Sequence, residues 1–203
     1  NRHQKRLLRV VHQRLPLVGE FVAEFEQGAD EHGEGGEKLA ERRAAGGGEV
    51  SSGRDQEARK VLDEFTREVK TNPAVFVGPY AAAALPARIA IERGDWAAAS
   101  QLPLQASQFA FVDAITTFSR ALGAARKGDA AAAEQDAAKL ETQHKTLLEA
   151  KNNYWANEVE VQRIAAAAWI AKAKGQNDEA LRLMRAAADM EDKSEKHIVT
   201  PGR

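Results

Sequence analysis

The feature of this sequence that most constrains its fold is a glycine followed five residues later by an alanine, which recurs four times. Each copy follows a stretch that could be helical and opens an alanine-rich helical pattern. One separation, from Gly94 to Gly128, is 34 residues, a period found in arrays of helical hairpins. The pairs are Gly53/Ala58, Gly94/Ala99, Gly128/Ala133 and Gly175/Ala180, at separations of 41, 34 and 47 residues.

The chemistry of a tight helix–turn–helix connection explains this spacing. Glycine at the end of a helix adopts the left-handed conformation without a steric penalty. Asp95 and Asp129 directly follow two of the glycines, where a short carboxylate can cap the next helix. The small alanine then faces the partner helix of its hairpin and allows a close approach. We therefore predict an all-α fold: a solenoid of helical hairpins behind an N-terminal extension that is flexible or poorly folded.

Composition limits the classes of function. Hydrophobic residues make up 43% of the 203 residues but aromatic residues only 6%, which predicts a thin, alanine-rich interior. A formal net charge of -1 gives no overall bias toward nucleic acid, so we regard a nucleic-acid partner as unfavoured. No apolar run is long enough to span a membrane. The chain contains no cysteine, which excludes thiol chemistry and leaves the compartment open. The cytoplasm is slightly favoured, and a signal peptide upstream would make the protein periplasmic.

The first 52 residues differ from the rest of the chain. Residues 1–27 form a predicted amphipathic helical segment, interrupted at Pro16, with a basic first half. Residues 28–52 are rich in glycine and polar side chains and are predicted to be a flexible linker. The first 50 residues are open to a second interpretation, as an extension foreign to the repeats. The basic residues of the first segment are Arg2, Lys5, Arg6, Arg9 and Arg14.

Residues 53–203 are predicted to be the helical repeat region. A helix begins near Asp55 and ends before Pro73, and Pro86 is expected to kink the next helix or delay its start. Pro103 closes a short helix that begins at Trp96. No alternating β pattern occurs after residue 53. The predicted helices after the first are 79–93, 96–102, 112–127, 129–150, 153–174 and 177–190.

Several short stretches resemble a group of bacterial tetratricopeptide-repeat proteins. They are Ala87-Arg88, Glu92-Arg93-Gly94-Asp95-Trp96, Arg120-Ala121-Leu122-Gly123-Ala124-Ala125-Arg126, Tyr154-Trp155-Ala156, Ala180-Leu181-Arg182-Leu183-Met184-Arg185-Ala186-Ala187-Ala188-Asp189, Glu195-Lys196-His197 and Val199-Thr200-Pro201-Gly202. The resemblance covers about three quarters of the chain. It implies a role in protein binding or scaffolding, and a fragment of a longer array whose earlier repeat is replaced by residues 1–50.

The sequence departs from that group at one position, and its own repeats are degenerate at two others. Ile198 stands where the related chains carry proline after the histidine. Ala130 and Asn177 stand where the first hairpin has Trp96, so the repeats are degenerate.

A search for catalytic motifs finds none. The sequence has no nucleophile elbow, phosphate-binding glycine loop or dinucleotide fingerprint. None of the five histidines has the spacing of a metal-binding pair. We therefore expect a non-enzymatic module without a metal or cofactor, and a protein or peptide segment of unknown identity as its partner.

The predicted binding surface is the concave face of the first helices of the hairpins. Residues six and three positions before each turn glycine are its candidates, because first helices line the groove in tetratricopeptide arrays. The alternative is that Leu122 and Trp169 belong to the core between helices. The residues at these positions are Arg88, Ile91, Leu122, Ala125, Trp169 and Lys172, and all but Ala125 are the candidate groove residues.

A second candidate site supports two alternative functions. Tyr154, Trp155 and Glu158 begin a long helix, and His197 lies in a polar loop, where it could titrate. Together they would suit a ligand-sensing or catalytic helical-repeat protein. The alternative for Trp155 is a place in the core of the long hairpin, and for His197 a connecting loop. A further hypothesis is an all-helical regulator that contacts nucleic acid through the basic N-terminus.

Overall fold

A computed structural model describes residues 76–194 of the chain, together with the single helical residue Lys60. The predictions for residues 1–27 and 28–52, for the Gly53/Ala58 pair, for the rest of the helix beginning near Asp55 and for His197 lie outside the described residues. Within them the fold is all-helical, with no strand. The helices are α1 (Val77–Glu92), α2 (Trp96–Ser100), α3 (Ala110–Arg126), α4 (Ala130–Glu149), α5 (Asn153–Ala173) and α6 (Asn177–Lys193).

These bounds lie within about three residues of those predicted from the sequence. Pro86 does not delay the start of α1, which begins nine residues earlier at Val77 and continues past the proline. Helix α2 is a single short helix of 5 residues, as Pro103 predicts, whereas α4 has 20 residues. This difference in length between second helices determines where the surface is open.

Three turns use the predicted left-handed glycine. Gly94, Gly128 and Gly175 have φ angles of 64°, 82° and 75°. At the turn after Gly128, the N–H of Gly128 donates to the carbonyl of Ala125, and the next N–H donates to Ala124. This pair of bonds satisfies carbonyls that the end of α3 would otherwise leave exposed.

A fourth turn repeats the same geometry without a glycine. Lys151, between α4 and α5, has φ 55° and is the described non-glycine residue with a positive φ. Its N–H donates to Leu148, and the N–H of Asn152 donates to Leu147. The sequence pattern does not predict that this turn is left-handed, because its signal for such turns is glycine.

The predicted aspartate caps are confirmed. Oδ1 of Asp95 accepts the N–H of Ala98 at 3.0 Å, and Oδ1 of Asp129 accepts that of Ala132 at 3.0 Å. Asn152 and Gln176 occupy the corresponding positions before α5 and α6 and make no side-chain cap bond. The turn before α4 therefore has a side-chain cap bond that the turn before α6 lacks, although their backbone angles are alike.

Fully buried alanines flank each glycine turn at fixed distances. Five residues after the glycines, the alanine has no exposed surface, as the sequence pattern predicts. Seven residues before them, another alanine is equally buried. This regularity shows that the three glycine turns are flanked by small, fully buried residues at the same positions. The two sets are Ala99, Ala133 and Ala180, and Ala87, Ala121 and Ala168.

The odd-numbered helices form one layer. Helix α3 packs against both α1 and α5, while α2 and α4 each pack against it as well. Helix α6 packs against α5. Phe118 and Leu122 of α3, together with Leu140 of α4, are among the largest fully buried side chains of the core. The core therefore lies along the odd-numbered layer, against which the even-numbered helices pack.

Candidate binding groove between α1 and α3

The residues predicted to line a concave groove lie mostly in the core. Leu122 has no exposed surface, Trp169 is 5% exposed and Ile91 is 7% exposed. Arg88 is half-buried and pairs with Glu92 one turn later, with Nε 2.5 Å from Oε1. Burial agrees with the alternative that Leu122 and Trp169 are inter-helix core, and in this conformation neither offers much surface to a peptide.

Lys172 is half-buried at the C-terminal end of α5, in the same helix as Trp169. The side chain that covers the ring of Trp169 is Arg126 of α3. The guanidinium carbon of Arg126 lies 4.4 Å from the ring centroid of Trp169 and 4.4 Å from that of Trp96. A guanidinium stacked between two indoles joins α2, α3 and α5 through cation–π attraction. Trp169 is therefore part of an internal contact of the fold.

Trp155, from the second predicted site, lies in an aromatic cluster at the N-terminal ends of α1, α3 and α5. Its ring stacks on Phe111 with centroids 4.1 Å apart and an interplanar angle of 7°. Phe76 meets both rings edge-on, and Tyr154 meets Trp155 edge-on. These contacts agree with the interpretation of Trp155 as core. Glu158 is half-buried one turn further along α5.

The described part of the chain has an open groove elsewhere, between α1 and α3. It encloses about 610 Å³, within the range of ligand-binding clefts. One wall is the face of α1 that carries Pro79, Ala82, Ala83 and Pro86, which are spaced as one stripe of a helix. The opposite wall is α3, and the loop 101–109 forms the third side. None of these residues was predicted as a site.

The wall on α3 carries Val112, Asp113 and Thr116. The side chain of Asp113 accepts the N–H of Ser107, at 2.9 Å to Oδ1 and 3.2 Å to Oδ2. Burial raises the pKa of the Asp113 carboxyl above its ordinary value, although the hydrogen bonds from Ser107 act in the opposite direction. The groove thus presents one half-buried carboxyl in an otherwise largely apolar surface.

The loop is held in place from α3. Nη1 of Arg120 donates to the carbonyl of Leu102 at 2.8 Å, and its Nε donates to Oδ2 of Asp136 on α4 at 3.1 Å. At the other end of the loop, the hydroxyl of Ser107 lies 3.1 Å from the carbonyl of Phe109 and 3.0 Å from its N–H. Hydrogen bonds therefore fix both ends of the loop that forms the third side of the groove.

Polar groups between α4 and α5 form a structural cluster. Nδ1 of His144 lies 3.5 Å from Oε2 of Glu160, and Oε1 of Glu160 lies 2.6 Å from Nη2 of Arg163. The hydrogen bonds that Arg163 donates to Glu160 raise the pKa of Arg163, which keeps the guanidinium charged. Over residues 76–194 no group of three or more His, Cys, Asp or Glu side chains is arranged to hold a metal ion. The helices described here include none that is long and apolar enough to cross a membrane.

Comparison of the chain with protein-family models, with curated proteins and with solved structures found no match. The groove is therefore described from its own geometry.

One signal in the sequence bears on the groove: Pro103, together with the glycine turn at Gly94, restricts α2 to one or two turns. The short length of α2 does not by itself indicate which surface of α1 and α3 the helix fails to cover, because that depends on how α1 and α3 pack together.

Proposed function

We propose that this chain is a non-enzymatic interaction module of the tetratricopeptide-repeat type, which binds a peptide or protein segment. The repetition of left-handed glycine turns flanked by fully buried alanines supports the repeat architecture. The layer formed by α1, α3 and α5 supports it as well, since first helices lie side by side in such arrays.

The observation that carries the proposal is the groove of about 610 Å³ between α1 and α3. Its lining is rich in proline and alanine, with a single half-buried carboxyl at Asp113. Apolar clefts with a few fixed polar groups are typical of binding sites. We place the binding surface in this groove and not on the row from Arg88 to Lys172, where Ile91, Leu122 and Trp169 are buried.

The test is selection of peptides that bind the full chain, followed by obstruction of the groove. A random peptide library displayed on phage is selected against the full chain. Dissociation constants are then measured for wild type and for Ala82→Trp, which places an indole into the groove. Ala131→Trp is the matched control, because Ala131 is exposed on α4, away from the groove.

The proposal predicts that selected peptides bind wild type and Ala131→Trp equally and lose about tenfold or more in affinity for Ala82→Trp. Circular dichroism and urea midpoints establish that both variants fold. Equal binding to Ala82→Trp by every selected peptide would place the site elsewhere. Failure to select any peptide would count against the proposed function itself.

A further inference from the structure

The groove occupies a place that a helix fills in the next hairpin. Helices α2 and α4 begin after equivalent turns and have equivalent aspartate caps, but α2 ends after 5 residues and α4 after 20. Pro103 disfavours helical geometry at Leu102, which stops α2. The chain continues from α2 into the loop 101–109, so within residues 76–194 no second helix occupies the space beside α1 and α3.

The wall on α1 corresponds to the surface of α3 that α4 covers. Thr117 lies 11 residues before its turn glycine and Arg120 lies 8 before it. Both contact α4: Oγ1 of Thr117 accepts Nε2 of Gln143 at 3.1 Å, and Arg120 donates to Asp136. The residues at the same distances before Gly94 are Ala83 and Pro86, and both line the groove.

The wall on α3 corresponds in the same way to the surface of α5 that α4 covers. Glu160 lies 15 residues before Gly175, and its carboxylate faces His144 of α4 at 3.5 Å. The residue 15 before Gly128 is Asp113, which lines the groove. Both walls therefore match the two helices between which α4 lies.

We infer that the groove binds an amphipathic α-helix of a partner protein, which lies between α1 and α3 as α4 lies between α3 and α5. This inference rests on the proposed function and specifies its partner. The partner helix carries two apolar residues seven positions apart, equivalent to the buried Leu140 and Leu147 of α4. It also carries a basic residue that faces Asp113, as His144 faces Glu160.

Two properties of the groove favour a helix over an extended segment. Its walls are two helix surfaces, and the residues of α4 that enter the equivalent space recur at helical spacing: Asp136, Leu140, Gln143 and Leu147.

A cation on the partner also suits the site, because the half-buried carboxylate of Asp113 gains more from a charged neighbour than an exposed one would.

The test uses two phage-displayed libraries selected against the full chain. The first has a helix-favouring framework of about 20 residues, randomised at positions 1, 5, 8, 9 and 12, which reproduce the spacing of the α4 residues 136, 140, 143, 144 and 147. The second has the same composition with a central proline, which prevents a continuous helix. Binders are counter-selected against Ala82→Trp.

The expected result is enrichment from the helical library alone, with Leu, Ile or Met at positions 5 and 12 and Lys, Arg or His at position 9. Enrichment from the proline library, lost in Ala82→Trp, would overturn the helix while leaving the proposed function intact. No enrichment from either library would contradict both. A benzoylphenylalanine at position 82 that crosslinks, without peptide, to residues 53–75 would show that this chain fills its own groove, which also overturns the inference.

The charge is tested with a double-mutant cycle. Asp113→Asn is expected to weaken binding of the basic peptide about tenfold, and to leave unchanged the binding of a peptide with norleucine at position 9. The neutral peptide controls for the contact of Asp113 with the loop. Equal losses for both peptides would mean that Asp113 acts only by holding Ser107, and would overturn recognition of a cation.

Discussion

Gly123 and Ala99 meet where α2 crosses α3, and the contact leaves no room for a side chain on the glycine. A Cβ at position 123 would lie 2.9 Å from the Cβ of Ala99, 2.5 Å from the backbone nitrogen of Ser100 and 2.7 Å from the carbonyl oxygen of Trp96. Two of these atoms belong to the backbone and cannot move independently. The sequence predicts a contact of Ala99 with its hairpin partner α1, and the structure adds this one with α3.

Gly123→Ala is therefore expected to destabilise the protein by about 1–3 kcal/mol, measured as a shift in the urea midpoint. In an unobstructed helix the same exchange stabilises by about 1 kcal/mol. The control is Ala138→Gly on the exposed side of α4, which measures the intrinsic preference for alanine. A stabilising effect of Gly123→Ala would show that α2 does not approach α3 this closely.

The buried alanines after the turns give a second prediction. Ala99→Leu is expected to cost about 1–3 kcal/mol more than Ala98→Leu, because Ala99 is fully buried and Ala98 is exposed. The pair Ala133→Leu and Ala132→Leu should show the same order, with a smaller contrast because Ala132 is half-buried. Alanine and leucine have similar helix propensities, so urea midpoints compare packing directly. Equal midpoints within each pair would remove the physical basis of the glycine–alanine pattern.

Lys151 and Gly128 give a third prediction because both have left-handed backbones. Lys151→Gly is expected to stabilise the fold by up to about 1 kcal/mol, since glycine adopts this conformation without a steric penalty. Gly128→Ala is expected to destabilise by about 1 kcal/mol. No atom lies within 4 Å of a Cβ built at Gly128, so the loss reports conformation alone.

Lys127→Gly is the matched control for Lys151→Gly, because Lys127 also ends a helix but has φ -85°. Lys127→Gly is therefore expected not to stabilise the protein against unfolding. Thermal or urea unfolding of the variants distinguishes these outcomes, and a destabilised Lys151→Gly would contradict the assignment of this turn.

The turn before α6 gives a fourth prediction. Gln176 has φ -86° and ψ 66°, close to the -87° and 75° of Asp129, but it makes no side-chain cap bond. Gln176→Asp is therefore expected to supply the missing cap and stabilise the protein by about 0.5–1 kcal/mol. Asp129→Ala should lose a similar amount, and Gln176→Asn tests whether the added charge contributes. An unchanged melting temperature in Gln176→Asp would contradict the equivalence of the two turns.

The sequence predicts much of the fold because the signals for helix ends are local. The pairs Gly94-Asp95 and Gly128-Asp129 set the ends of α1 and α3 and the starts of α2 and α4. The bounds of α3 to α6 agree with the predicted ones within about three residues. The left-handed turn at Lys151 could not be predicted in this way, because lysine does not by itself indicate a left-handed turn.

The candidate site could not be predicted in the same way. Helical periodicity places Leu122 and Trp169 on one face, but it does not indicate whether other helices cover that face. The roles of Asp113 and Arg120 depend on where the loop 101–109 runs, which is a tertiary property. The short α2 ended by Pro103 is visible in the sequence, whereas the groove beside it forms only once α1 and α3 are packed together.

The measurement that tests the central claim most directly is a map of the surface that a bound peptide contacts. Amide chemical shifts of the isotope-labelled full chain are recorded while the best selected peptide is added. Binding in the groove predicts that the largest changes fall within the segments 79–86, 102–108 and 112–116, which carry the residues that line it. Changes concentrated instead around Trp169 and Lys172, with the groove residues unaffected, would contradict it.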